Sequence, residues 1–123
     1  MTVKTILTVD DSASIRQLVS LALSSAGYRV LQAGDGAEGY SKATTERVHA
    51  VITDLNMPVM NGLEFIRKFR GHPASKGVPV ILLTTTDDEE MKRQAKEAGA
   101  IGWLVKPFKP DQLLAVIKKV AGA

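Results

Sequence analysis

The sequence contains no cysteine, which excludes disulfides, thiol catalysis and cysteine-ligated metal, and fits a reducing cytoplasm. Long apolar runs are missing as well. The run at residues 3–9 is cut off by Asp10 and Asp11, too early for the apolar core of a secretory signal, and no stretch approaches membrane-spanning length. Neither sign of charge dominates: 16 Lys and Arg stand against 13 Asp and Glu, and the basic residues are dispersed among acids. Nucleic-acid binding gains little support from that balance. What remains, 45% hydrophobic and 24% charged, is the composition of a soluble globular domain with no tail or long linker. A chain of 123 residues buries about two-thirds of its unfolded surface in one core. The expectation is a single cytoplasmic domain over residues 1–123, monomeric and not inserted in a membrane.

Short β-branched runs alternate with helical patterns. Residues 5–9, 28–33, 50–53, 78–84 and 101–105 read as strands. In the last interval Leu113, Leu114, Val116, Ile117 and Val120 form one apolar stripe, with Pro110 at its start. In the first, Ile15, Leu18, Val19 and Ala22 repeat the stripe, Ser12 or Ser14 can cap it, and Gly27 can end it. Asp35 and Glu38 have capping-box spacing for the second helix, although Gly39 inside it costs about 1 kcal/mol relative to Ala. Leu63, Ile66 and Phe69 mark the third. For the fourth, the acids from Asp87 to Glu90 suit the positive end of a helix dipole, and Met91, Ala95 and Ala98 supply the buried stripe before Gly99. Five such units imply an α/β fold, a parallel sheet with helices on both faces.

In such sheets ligands bind beyond the carboxyl ends of the strands. There the sequence places Asp10 and Asp11 after strand one, Asp54 after strand three, Thr84 at the end of strand four and Lys106 after strand five. Taken singly, each aspartate reads as a cap or turn residue, Thr84 as a strand former and Lys106 as a solvated lysine. Together they describe a site. Three neighbouring carboxylates repel one another and resist ionisation unless a hard cation or an ammonium offsets them. Mg²⁺ accepts two or three carboxylates plus a carbonyl while keeping several waters, and Lys106 offers a point charge to a substrate oxyanion.

Asp10-Asp11, the segment Asp54-Leu55-Asn56-Met57-Pro58 followed by Asn61-Gly62, Thr84, and Lys106-Pro107-Phe108 resemble, in order and spacing, the signature of response-regulator receiver domains, nearest to the stand-alone chemotaxis type. The resemblance implies a flavodoxin-like doubly wound five-stranded sheet of order 2-1-3-4-5, with no output domain following. It makes Asp54 the phosphoacceptor for a histidine kinase or a small phosphodonor. Asp11 and Asp54 would bind Mg²⁺ directly, Asn56 through its backbone carbonyl, and Asp10 through a metal-bound water. Lys106 would hold a phosphoryl oxygen, Thr84 another, and the Lys106–Pro107 bond would be cis. Asn56 and Thr86 match positions that tune dephosphorylation. Thr84 and Trp103 match the switch pair that changes partner binding at the face made by helix four, strand five and helix five. Trp103 stands where family members usually carry Tyr or Phe, and Lys92 where motor-binding relatives carry an apolar residue.

The resemblance therefore implies a self-catalysed phosphoacceptor switch rather than an enzyme, acting in two-component signalling. Its downstream target would be a flagellar motor switch component or another signalling protein. A phosphorelay intermediate or a phosphate sink has the same residues. A Mg²⁺-dependent aspartyl phosphohydrolase also uses Asp, Mg²⁺ and Lys, but its D-x-D motif after strand one is missing here. A flavodoxin-like electron carrier needs a hydroxyl- and amide-rich phosphate loop where this chain has acids.

Overall fold

The computed structural model describes residues 3–85 and 88–121. Its strands are β1 Thr5–Val9, β2 Arg29–Ala33, β3 Ala50–Asp54, β4 Val80–Thr84 and β5 Gly102–Val105. The helices are α1 Ala13–Ser25, α2 Gly36–Thr45, α3 Gly62–Arg70, α4 Glu89–Ala98 and α5 Pro110–Ala121. The five strands are all parallel and run in the order 2-1-3-4-5, as expected.

The strands alternate their side chains between two half-cores. Leu7, Val9, Val51 and Leu82 meet Phe65, Ile66 and Phe69 of α3 on one face. Ile6, Ala50, Ile52 and Leu83 meet Val19 and Leu23 of α1 and Leu113 and Ile117 of α5 on the other. Full burial of each large side chain contributes on the order of 2 kcal/mol, so the central strands are clamped from both sides. That clamp fixes the height at which each strand ends, and so the height of the residues that follow.

Element boundaries differ from the sequence reading where backbone donors are lost. Strand four starts at Val80, not residue 78, because Pro79 has no N–H and contributes only its carbonyl, which accepts from Val51 at 2.9 Å. Tyr28 falls outside β2 because its N–H is used on the carbonyl of Leu23 at the end of α1. Leu18 is exposed rather than part of the α1 stripe; the buried line runs through Val19 and Leu23, with Ile15 and Ala22 packed beside it. Ser12 is the α1 cap, accepting from the Ile15 N–H.

The second helix carries half of the expected capping box. Asp35 accepts from the Glu38 N–H at 2.8 Å, but the Glu38 carboxylate takes the Gly34 N–H instead of that of Asp35. The complete box lies instead at Asn61 and Glu64 of α3. Gly39 is a packing requirement, since a Cβ there would lie 2.9 Å from Val9 Cγ2. Asp88 caps α4, with Glu89 and Glu90 in its first turn; Asp87, grouped with them in the sequence, lies outside the described residues. The helix ends at Gly99 with φ 117°, a left-handed conformation that glycine adopts without a Cβ penalty.

Candidate phosphoryl-transfer site

The carboxyl edge of the sheet gathers the expected residues. Asp10 follows β1 and is fully buried, held by its N–H to the carbonyl of Ala33 (3.0 Å). One of its carboxylate oxygens accepts from the Ser12 N–H at 2.9 Å. Asp54 closes β3 and is buried, whereas Asp11 is exposed. One carboxylate oxygen from each of the three lies within 4.8 Å of the others. Lys106 reaches in from the end of β5, its Nζ 2.9 Å from Asp54 Oδ1 and 3.1 Å from Asp10 Oδ2. Its own backbone N–H is tied to the Thr84 carbonyl at 2.7 Å, so β4 sets the height of the lysine. The Lys106–Pro107 bond is cis, as the resemblance implied.

Electrostatics follow from this packing. Burial pushes the Asp54 carboxyl above its usual range; the hydrogen bond from Lys106 pulls it back and the Asp10 charge pushes it up again, leaving it raised. Burial works against the Lys106 ammonium too, but its hydrogen bonds to Asp54 and Asp10 and their charges outweigh that, and it stays raised. Three carboxylates facing one ammonium leave two negative charges uncompensated. A hard divalent cation matches that deficit and the all-oxygen donor set. The acidic pocket therefore fits a metal, with Asp11, Asp54 and Asp10 as its carboxylates.

Thr84 is buried at the end of β4, with Val105 opposite it on β5. Trp103 lies opposite Leu82, half-buried against the α3 half-core, with Lys92 Nζ 5.2 Å above its ring. Asn56 is exposed just beyond Asp54. Thr86 lies outside the described residues.

Three contributors were not singled out in the sequence. The Arg16 guanidinium donates to the Asp10 carbonyl and, at 3.3 Å, to Gln32, bracing the strand end from α1. Gly62 was visible in the motif but its reason was not: a Cβ there would lie 2.2 Å from the Asp54 carbonyl oxygen. Val59 adopts φ 70° in a tight turn in which the Met60 N–H donates to the Pro58 carbonyl at 2.7 Å. Only Gly62 carried a sequence signal, the Asn-Gly pair; the others depend on which strand and helix become neighbours.

Residues 6–118 match the family model described as the response regulator receiver domain. A probable chemotaxis protein CheY of Rhizobium etli is 38% identical over 119 residues, covering 96% of this chain and 92% of that one. The solved chemotaxis response regulator CheY4 of Vibrio cholerae is 47% identical with a TM-score of 0.93, covering 97% and 99% of the two chains. The receiver domain of a Pseudomonas aeruginosa sensor histidine kinase, solved with a magnesium ion coordinated in its active-site cleft, is 29% identical with a TM-score of 0.90, covering 99% and 100%. The chain spans about half the length of one curated relative, the phosphate regulon transcriptional regulatory protein PhoB of Pseudomonas aeruginosa, at 34% identity.

Proposed function

The chain belongs to the response regulator receiver domain family of two-component signalling, and on that footing we propose that Asp54 is the phosphoacceptor of a Mg²⁺-dependent switch. One observation carries the reading: Asp10, Asp11 and Asp54 converge within 4.8 Å, with the Lys106 ammonium on two of them, at the edge where a parallel sheet binds its ligands. The magnesium in the cleft of the sensor-kinase receiver supports Mg²⁺ as the cation. Asp11 and Asp54 would ligate it directly, with the Asn56 carbonyl, and Asp10 would act through a bound water.

An Asp54 carboxylate oxygen attacks phosphorus of a phosphohistidine or of an acyl phosphate such as acetyl phosphate. The new O–P bond forms as the P–N or P–O bond to the donor breaks, and the electron pair leaves with the imidazole, which takes up a proton, or with acetate. Lys106 transfers its contacts from the carboxylates to an incoming phosphoryl oxygen, and the Thr84 hydroxyl donates to a second. A cation held by these carboxylates would neutralise charge spread over the transferring oxygens. Decay reverses the gain: water attacks phosphorus, releasing phosphate and regenerating Asp54, with Asn56 and Thr86 as the positions whose side chains would tune its rate. The chain is thus a phosphoacceptor that serves its own chemistry, with one phosphoryl group per site.

The chemotaxis names of the relatives support a place in chemotaxis, with a histidine kinase as donor. The face made by α4, β5 and α5, with Trp103 on its strand, would meet a flagellar motor switch component or another signalling protein. Incubation with radiolabelled acetyl phosphate and Mg²⁺ tests the core of the reading. Labelling should approach one phosphoryl group per chain and vanish in Asp54→Asn. Labelling that persists in that variant, or sustained turnover of many phosphate esters, removes the assignment.

A further inference from the structure

The opposite end of the sheet holds a cavity of about 470 Å³, within the range of small-ligand sites. Lys4 enters it from the segment before β1, Arg47 and His49 from the segment between α2 and β3, and Lys76 from the turn that precedes β4. Three central strands therefore deliver cations to one place. Among the described residues Glu46 is the single acid on its wall, so three cations less one carboxylate leave two positive charges, with His49 counted as neutral.

Several cations elsewhere in the fold are held in ion pairs. Arg93 is held by Glu90 and Glu97, Lys42 by Glu38, and Lys106 by Asp10 and Asp54. Among the described residues, Arg47 and Lys76 show no ion pair and no side-chain hydrogen bond. They are therefore not used to cap a helix end. Lys4 uses one of its three N–H donors on the Ala121 carbonyl at 2.6 Å, which steadies it and leaves two. His49 accepts the Thr5 N–H on Nδ1 at 3.0 Å, which places its proton on Nε2 as a donor at the other edge of the ring.

We propose that this cavity binds a small anion of the phosphate class, inorganic phosphate or the phosphate of a small monoester. The Arg47 fork and the Lys76 and Lys4 ammonium groups would meet its oxygens, with His49 Nε2–H as a neutral donor. Two net positive charges match a dianion. His49 and Asp54 lie five residues apart along the β3 chain, roughly 16 Å at strand rise. The site is therefore separate from the phosphoryl chemistry and does not depend on it.

The test is an amide-shift titration of the ¹⁵N-labelled, metal-free full chain with inorganic phosphate or glycerol 3-phosphate, ionic strength being held with chloride. Thr5, His49, Lys76 and Gly77 should shift saturably while Asp10 and Asp54 stay put. Saturation by inorganic phosphate identifies the free ion as sufficient; saturation by the monoester alone identifies an organic ligand. Arg47→Gln and Lys76→Gln should each weaken binding about two- to fivefold, and both together roughly tenfold, with unchanged melting temperature. Linear shifts, shifts reproduced by chloride alone, or a double variant that binds as before would overturn the site.

Discussion

A carboxyl whose folded pKa is raised resists ionisation in the native state. The penalty is absent below its ordinary pKa, grows as pH climbs, and is complete above the raised value. Asp54 is in that position, through burial first and then the neighbouring Asp10 charge, with Lys106 offsetting part of it. Metal-free Asp54→Asn should therefore be more stable than the parent at pH 7, by on the order of 1 kcal/mol, with the advantage shrinking toward acidic pH. Thermal melts across pH in a chelator check this, and a variant melting below the parent at pH 7 contradicts it. Val59 offers a second test at the same scale. A β-branched side chain at φ 70° is strained, typically by 1–3 kcal/mol. Val59→Gly should gain about 1 kcal/mol despite its added unfolded-state entropy. Equal or lower denaturant midpoints would place the strain elsewhere. The clustered aspartates and Lys106 were legible because each follows an apolar run that had to be a strand. Arg16 and Val59 were not, since one depends on where α1 lies beside β1 and β2 and the other on a loop dihedral.

Elements meet where side chains are absent. Helix α3 begins against the last carbonyl of β3, and Gly62 makes that approach possible. The obstacle to any side chain is backbone, the Asp54 oxygen at 2.2 Å and Leu55 Cα at 3.0 Å, so no rotamer change can make room. Gly62→Ala should cost about 2–3 kcal/mol and displace Asp54. Slower acetyl phosphate labelling at saturating Mg²⁺, together with a lower denaturant midpoint, is the expected result; wild-type labelling would show that α3 shifts without its strand. The alternation of strands and helices was readable from periodicity alone. Boundaries at β4 and β2 were not, because they follow the missing N–H of Pro79 and the capture of the Tyr28 N–H by α1. The Asn61 capping box was written in the residues, with Glu64 three positions on, but its context in an Asn-Gly turn concealed it.

Across the whole molecule, the proposed phosphorylation site and the proposed partner face are joined through β4 and β5. Lys92 lies 5.2 Å above the Trp103 ring and 3.6 Å from Glu89, so the indole must leave a cation–π contact of about 0.5–1 kcal/mol if it swings inward. Beryllofluoride with Mg²⁺ should change Trp103 fluorescence more than Mg²⁺ alone, since only the phosphoryl mimic offers Thr84 a new acceptor. Lys92→Ala should raise beryllofluoride affinity about two- to fivefold, that contact energy returned through linkage. Unchanged affinity would separate Trp103 from the switch.

The sheet also acts as a partition. Phe65, Ile66 and Phe69 never share a half-core with Val19, Leu23 and Leu113, and the strand backbones stand between them. For a protein engineer this makes the interior two problems instead of one. Substitutions chosen separately for each side should combine with little interference, because their effects reach one another only through hydrogen-bonded strands that both sides leave in register. A combinatorial search over six large core positions is thereby reduced to two independent searches over three.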